Sequence, residues 1–178
     1  MKIKYVLILS VIGLVALGVM PASADGPGNY AQVSLDIPSL GVSSSLFFMD
    51  IRVNANQGGY WHIGPYESRV GHLQGTPWLG EGGNTVLAGH ALYPNGVPGV
   101  FNRLDELSPG DLIIVREGRQ YYYYTVSYMQ VILATDTRVV YEPGHRLTLI
   151  TCSGDYDPRT RDYEERVVII AEPVPIFY

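Results

Sequence analysis

The chain has 178 residues, room for one domain of ordinary size with a real core and not for two. A formal net charge of −5, with no basic stripe to neutralise phosphates, excludes nucleic acid as the expected partner. Only 16% of residues are charged, against 20 glycines, 12 prolines and 14 tyrosines, which suits short strands joined by turns better than a helical bundle.

Residues 1–24 read as an export segment. Lys2 and Lys4 form a positive n-region, Tyr5 to Met20 is free of charge, and Ala22 and Ala24 stand just before Asp25 as a signal-peptidase site would require. The rival is a retained membrane anchor, for which this run is shorter than the roughly 20 apolar residues that span a bilayer. Either way the remainder is expected to be exported, to the outer face of the cytoplasmic membrane or the cell envelope. Residues 25–32 read as a linker, 33–173 as the folded domain and 174–178 as a tail.

Within the domain the apolar period is two, or a short continuous run. Val33 to Ile37 alternates and is broken by Pro38 and Gly41; Leu46 to Val53, Asn84 to Ala88 and Asp111 to Val115 follow as strands. Arg116-Glu117-Gly118-Arg119 predicts a tight hairpin into Gln120 to Tyr128. Val131 to Leu133, Arg146 to Cys152 and Arg166 to Ala171 complete the set, with a helical turn around Phe101 to Leu107. Some eight strands at this spacing predict a mostly β chain closing into an antiparallel-rich barrel with short helical turns.

The sequence contains one cysteine. Exported proteins usually carry cysteines in pairs, so an unpaired thiol has either a buried, inert site or a chemical task. Cys152 ends the apolar run Leu147 to Thr151 and opens onto Ser153-Gly154-Asp155, a strand end where functional groups tend to sit. His90 repeats the design: Asn84 to Gly89 delivers an imidazole to the start of a loop, and Gly89 allows close approach. His62 and His72, in the glycine-rich stretch 58–83, take surface or loop-packing roles by default. His145 lies about 20 Å from Cys152 along an extended strand, at ~3.3 Å per residue, which argues against it as a proton partner. Arg166 opens a strand that could pair beside that of Cys152, whereas Arg159 and Arg161 read as solvated.

These residues carry a resemblance. Thr148-Leu149-Ile150-Thr151-Cys152 is similar to the TLxTC signature of the sortase family, Asn84 to His90 resembles its histidine strand, and Arg166 to Ala171 resembles its arginine strand, in the family's order. The likeness extends over roughly Val33 to Pro173. It implies an eight-stranded sortase-type β-barrel with Cys152, His90 and Arg166 as catalytic residues, and with Thr151, Ala88 and Thr148 beside the bound peptide. The expected reaction cleaves a sorting-signal peptide of a surface protein through a Cys152 thioacyl intermediate. The acyl group then passes to an amine on a cell-wall precursor or a pilin-like protein. Free thiol and imidazole titrate near about 8.5 and 6.5, so the thiolate–imidazolium form is expected to be a minority at neutral pH. No cofactor is implied. Asp136, Glu142, Asp155 and Asp157 lack the dense spacing of a calcium loop and read as a solvated acidic surface. Two other readings stay open on the residues alone. One is a cysteine peptidase that hydrolyses its intermediate, the other an inactive cell-surface β-barrel binding module. A transpeptidase of the Ser-His-Gly-Cys type is disfavoured, because Thr151 precedes the thiol.

Overall fold

The computed structural model describes residues 29–54 and 58–175; the export segment and its alternatives lie outside them. Eight strands close a barrel: β1 (Val33–Ile37), β2 (Val42–Met49), β5 (Val70–Leu73), β6 (Asn84–Ala88), β7 (Leu112–Glu117), β8 (Gln120–Leu133), β9 (Arg146–Asp157) and β10 (Asp162–Pro173). Their order around it is β1-β2-β5-β6-β9-β10-β8-β7. Between β2 and β5 a separate two-stranded sheet is inserted, β3 (Ile51–Asn54) with β4 (Gly58–Trp61). Two pairings are parallel, β2 with β5 and β6 with β9, and the rest of the barrel is antiparallel.

The apolar runs of β6, β9 and β10 have a common cause: both faces of these strands are covered. One face looks into the barrel, where Leu87, Leu149, Val167 and Ile169 join Leu35, Ile113 and Phe101. The other packs Val86, Val168 and Ile170 against Met49, Leu73 and the short helix α1 (Arg138–Tyr141), which contributes Val139 and Val140. Fully burying a Leu or Ile contributes roughly 1.5–3 kcal/mol, so this three-strand slab is a firm base for whatever stands at its end. Strand β1, with only one face on the core, keeps the simple alternation of buried and half-buried residues.

Several expectations are revised. Gln120 to Leu133 is one strand, not two, and the predicted second strand divides into β2 and β3. The polar segment 153–165, expected as a loop, is mostly ladder: β9 and β10 run on past the barrel and pair as far as Asp157 with Asp162. Its polarity reflects a hairpin that projects away from the core. The expected linker ends inside the domain, since Tyr30–Gln32 form a 3-10 turn and the Tyr30 ring packs on Trp78 at 5.7 Å. The expected helical turn is present as the 3-10 segment Leu104–Glu106. His72 is not at the surface but fully buried on β5, where Nδ1 meets the Tyr30 hydroxyl at 2.8 Å and Nε2 meets Thr76 Oγ1 at 3.1 Å. Among the described residues no helix is long and apolar enough to cross a membrane.

Candidate active site

Strand parity decides which side chains can meet. In β9, residues 148, 150 and 152 share a face; in β10, so do 166, 168 and 170. Cys152 and Arg166 are direct partners across the antiparallel ladder, which puts their side chains side by side on that face. On the other flank, β6 runs parallel to β9 with Ala88 beside Ile150. Gly89 carries the contact onward: its N–H donates to the Ile150 carbonyl at 3.2 Å, and its carbonyl accepts from Thr151 Oγ1 at 2.8 Å. His90 therefore emerges level with Cys152. Three residues far apart in the chain end up on three neighbouring strands, and all three line one groove of about 850 Å³.

The half-buried His90 ring is held from outside the slab. Nε2 lies 2.8 Å from the Gly64 carbonyl, which can only accept, so the hydrogen belongs on Nε2 and Nδ1 is the nitrogen left to exchange a proton. The Tyr93 ring packs edge-on against the imidazole at 5.5 Å. Behind it, residues 91–99 fold back: Gly99 N–H donates to Ala91 O and Phe101 N–H to His90 O.

Burial pushes the Cys152 thiol above its usual range; the neighbouring Arg166 charge pulls it down, and Asp162 pushes it up again. Arg166 folds back along its own strand. Its Nη1 donates to the Tyr163 and Glu165 carbonyls, and its Nη2 lies 2.8 and 2.7 Å from the two Asp162 carboxylate oxygens. Asp162 had no separate signal in the sequence, where it was one of several carboxylates in a polar segment.

The expected peptide-binding residues separate into three cases. Ala88 borders the groove. Thr151 borders it too, but its hydroxyl is committed to Gly89 and acts as a rivet between the histidine and cysteine strands. Thr148 is corrected: it is fully buried beneath the groove, and its hydroxyl donates to Asn84 Oδ1 at 2.6 Å. Asn84 Nδ2 in turn donates to the carbonyls of Val139 and Val140, tying the α1 segment over the slab. Of the acidic residues weighed for a cation, Asp136, Glu142 and Asp157 are paired with Arg138, Arg146 and Arg159. No cluster of three or more such ligands occurs among the described residues.

The Sortase domain profile matches residues 35–174. Sortase C-1 from Actinomyces oris is similar at 26% identity and a TM-score of 0.59, over 81% of this chain and 74% of that one. A Clostridium perfringens sortase D5 transpeptidase is similar in fold at 23% identity and a TM-score of 0.60, over 80% of this chain and 78% of that one. For Listeria monocytogenes sortase A the values are 23% and 0.60, over 83% and 89%. No curated protein matches the sequence. Similarity is spread over A, C and D types, so it does not assign a subclass. With the family profile spanning the whole barrel, from β1 to just beyond β10, the chain belongs to the sortase family of cysteine transpeptidases.

Proposed function

We propose that Cys152, His90 and Arg166 carry the transpeptidation as nucleophile, proton carrier and oxyanion donor. The Cys152 thiolate attacks the carbonyl carbon of a sorting-signal peptide bond. The oxyanion that forms is held by the Arg166 guanidinium, which stays charged throughout. As the carbon–nitrogen bond breaks, His90 imidazolium protonates the departing amine and a thioester remains on Cys152. An incoming primary amine then gives up a proton to the neutral imidazole, attacks the thioester, and expels the thiolate as the new amide forms. One observation carries the reading: the three side chains share one groove at the ends of three adjacent strands.

The groove's character narrows the donor peptide. Its walls include Met49, Ile63, Leu73, Val139, Val140 and Ile150, and its charged groups are confined to His90, Asp136, Arg161, Asp162 and Arg166. Such a site favours an extended segment whose residues before the cleaved bond are apolar or small. The acceptor is an amine of a cell-wall precursor or a pilin-like protein, and the site of action is the outer face of the membrane or the cell envelope.

The test incubates the enzyme with a panel of sorting peptides, with and without a primary amine, and follows the protein by intact mass. The expected result is an acyl adduct on the wild-type enzyme, absent from Cys152→Ala, that converts to an amide product when amine is added. Product release at the same rate without amine would instead identify a peptidase.

A further inference from the structure

Asp162 opens β10 at the hairpin's outer end, and in a regular strand it would be roughly 13 Å from Arg166, at ~3.3 Å per residue. The ladder is irregular between Tyr163 and Glu165. The extra residue lies on β9, where three steps from Tyr156 to Ser153 face two from Tyr163 to Glu165, and beside this bulge the Arg166 side chain folds back along β10. The result is a cage with fixed partners: Asp162 on Nη2, and Tyr163 O and Glu165 O on Nη1. Asp162 is itself anchored, its Oδ1 accepting from the Tyr163 N–H at 2.8 Å. The arginine side chain keeps only 19% of its exposure, while that of Asp162 keeps 49%. Of the guanidinium's donors, Nε alone has no hydrogen-bond partner among the described residues.

We propose that Asp162 is a positioning residue for the transpeptidation, fixing the plane of the Arg166 guanidinium beside Cys152 so that a donor is already aimed when the oxyanion forms. A long arginine side chain left free would have to be ordered during the reaction; here the carboxylate and two carbonyls have ordered it beforehand. Arginine suits the task because its planar fork can satisfy a carboxylate with one edge and keep donors elsewhere. The arrangement has a cost, since an anion near the thiol opposes the thiolate, and Asp162 acts on Cys152 in that sense. The charged groups bordering the groove around Cys152 are His90, Asp136, Arg161, Asp162 and Arg166, and Asp162 is the one tied directly to the arginine. The inference rests on Arg166 serving the oxyanion, as proposed above.

The experiment compares Asp162→Ala, Asp162→Asn, Asp162→Glu and Arg166→Ala in steady-state transfer to a primary amine, with the pH dependence of Cys152 alkylation by iodoacetamide as a second readout. Asp162→Ala is expected to lower kcat about tenfold with KM within twofold, less than the roughly 10²–10³ lost with a missing oxyanion donor. Asp162→Glu is expected to recover much of that loss. Asp162→Asn is expected to move the alkylation midpoint to lower pH while kcat still falls, a combination that a merely structural role in the hairpin would not give. Unchanged or increased kcat in Asp162→Ala, with Arg166→Ala impaired, overturns the inference and leaves the arginine's role standing. Full activity in Arg166→Ala overturns that role and the inference with it.

Discussion

Gly99 gives the sharpest test of how His90 is held. It packs directly against the His90 backbone, where the absence of a side chain is what matters. A methyl group there would come within 2.7 Å of the His90 carbonyl carbon and 2.8 Å of its Cβ, and closer still to the carbonyl oxygen. Non-bonded carbons settle at about 3.5–4.0 Å, so Gly99→Ala has to displace the His90 backbone by roughly 0.8 Å. The clash is with backbone, which cannot rotate aside, and the clasp hydrogen bonds from Gly99 N–H and Phe101 N–H resist relaxation. A misplacement of about 1 Å in a catalytic group can cost on the order of 10²-fold in rate, equal to about 2.7 kcal/mol of barrier. Overpacking of this kind also destabilises by roughly 1–3 kcal/mol. The assay is kcat for amine-dependent transfer at a temperature well below the variant's own melting point. Cys152 alkylation at high pH serves as a check that the thiol is present and reachable. The expected variant is folded, alkylates normally and is slower by about 10². A folded Gly99→Ala with kcat within threefold of wild type would refute the claim that this clasp sets the position of His90.

Two further outcomes follow from groups outside that clasp. Burial holds His72 down to about 4, against 6.5 for the free side chain, so between these values the unfolded chain binds the proton and the folded one does not. Stability is therefore expected to be unaffected by this group above about pH 6.5 and to fall as pH drops towards 4, by on the order of 3 kcal/mol; urea midpoints across that range should show the slope in wild type and lose it in His72→Gln, and parallel curves would contradict it. The chain has no lysine after Lys4, and exposed Arg161 borders the Cys152 groove. Arg161→Lys places an ε-amine on the wall of the groove that holds the thioester, and the high effective concentration of such a neighbour is expected to trap the acyl group on residue 161, detectable by peptide mass mapping and absent from wild type.

How much of this was legible beforehand depended on where the stabilising contacts come from. The β6, β9 and β10 segments could be read directly, because coverage on both faces writes itself into the chain as uninterrupted Val, Ile and Leu. The glycine-rich stretch could not. Strand β5 is Val70-Gly71-His72-Leu73, and it is a strand because it lies parallel to β2, a long-range contact with no local signature. Gly71 is there because a side chain would run into Met49 and Phe47. The positions of Cys152 and His90 at strand ends followed from the pattern of apolar residues meeting glycine and polar ones. The partners of those residues did not. Gly64 reaches His90 through a backbone carbonyl, which no residue type advertises. Asp162 meets Arg166 only because the arginine side chain folds back along its own strand. Thr148 differs from expectation for a related reason: it shares a strand face with Cys152, but four residues along the strand take it out of the groove and into the buried slab.

The order of strands around the barrel has a consequence for how the site comes into being. Cys152 and Arg166 belong to a hairpin whose tip is the short turn 158–161, so their juxtaposition closes a small loop and needs little from the rest of the chain. His90 joins only through the β6–β9 pairing, across some sixty intervening residues, and such distant contacts form late because a long loop has to be closed first. By that ordering the thiol and arginine come together early and the proton carrier joins them later, so chemical competence waits on a long-range pairing.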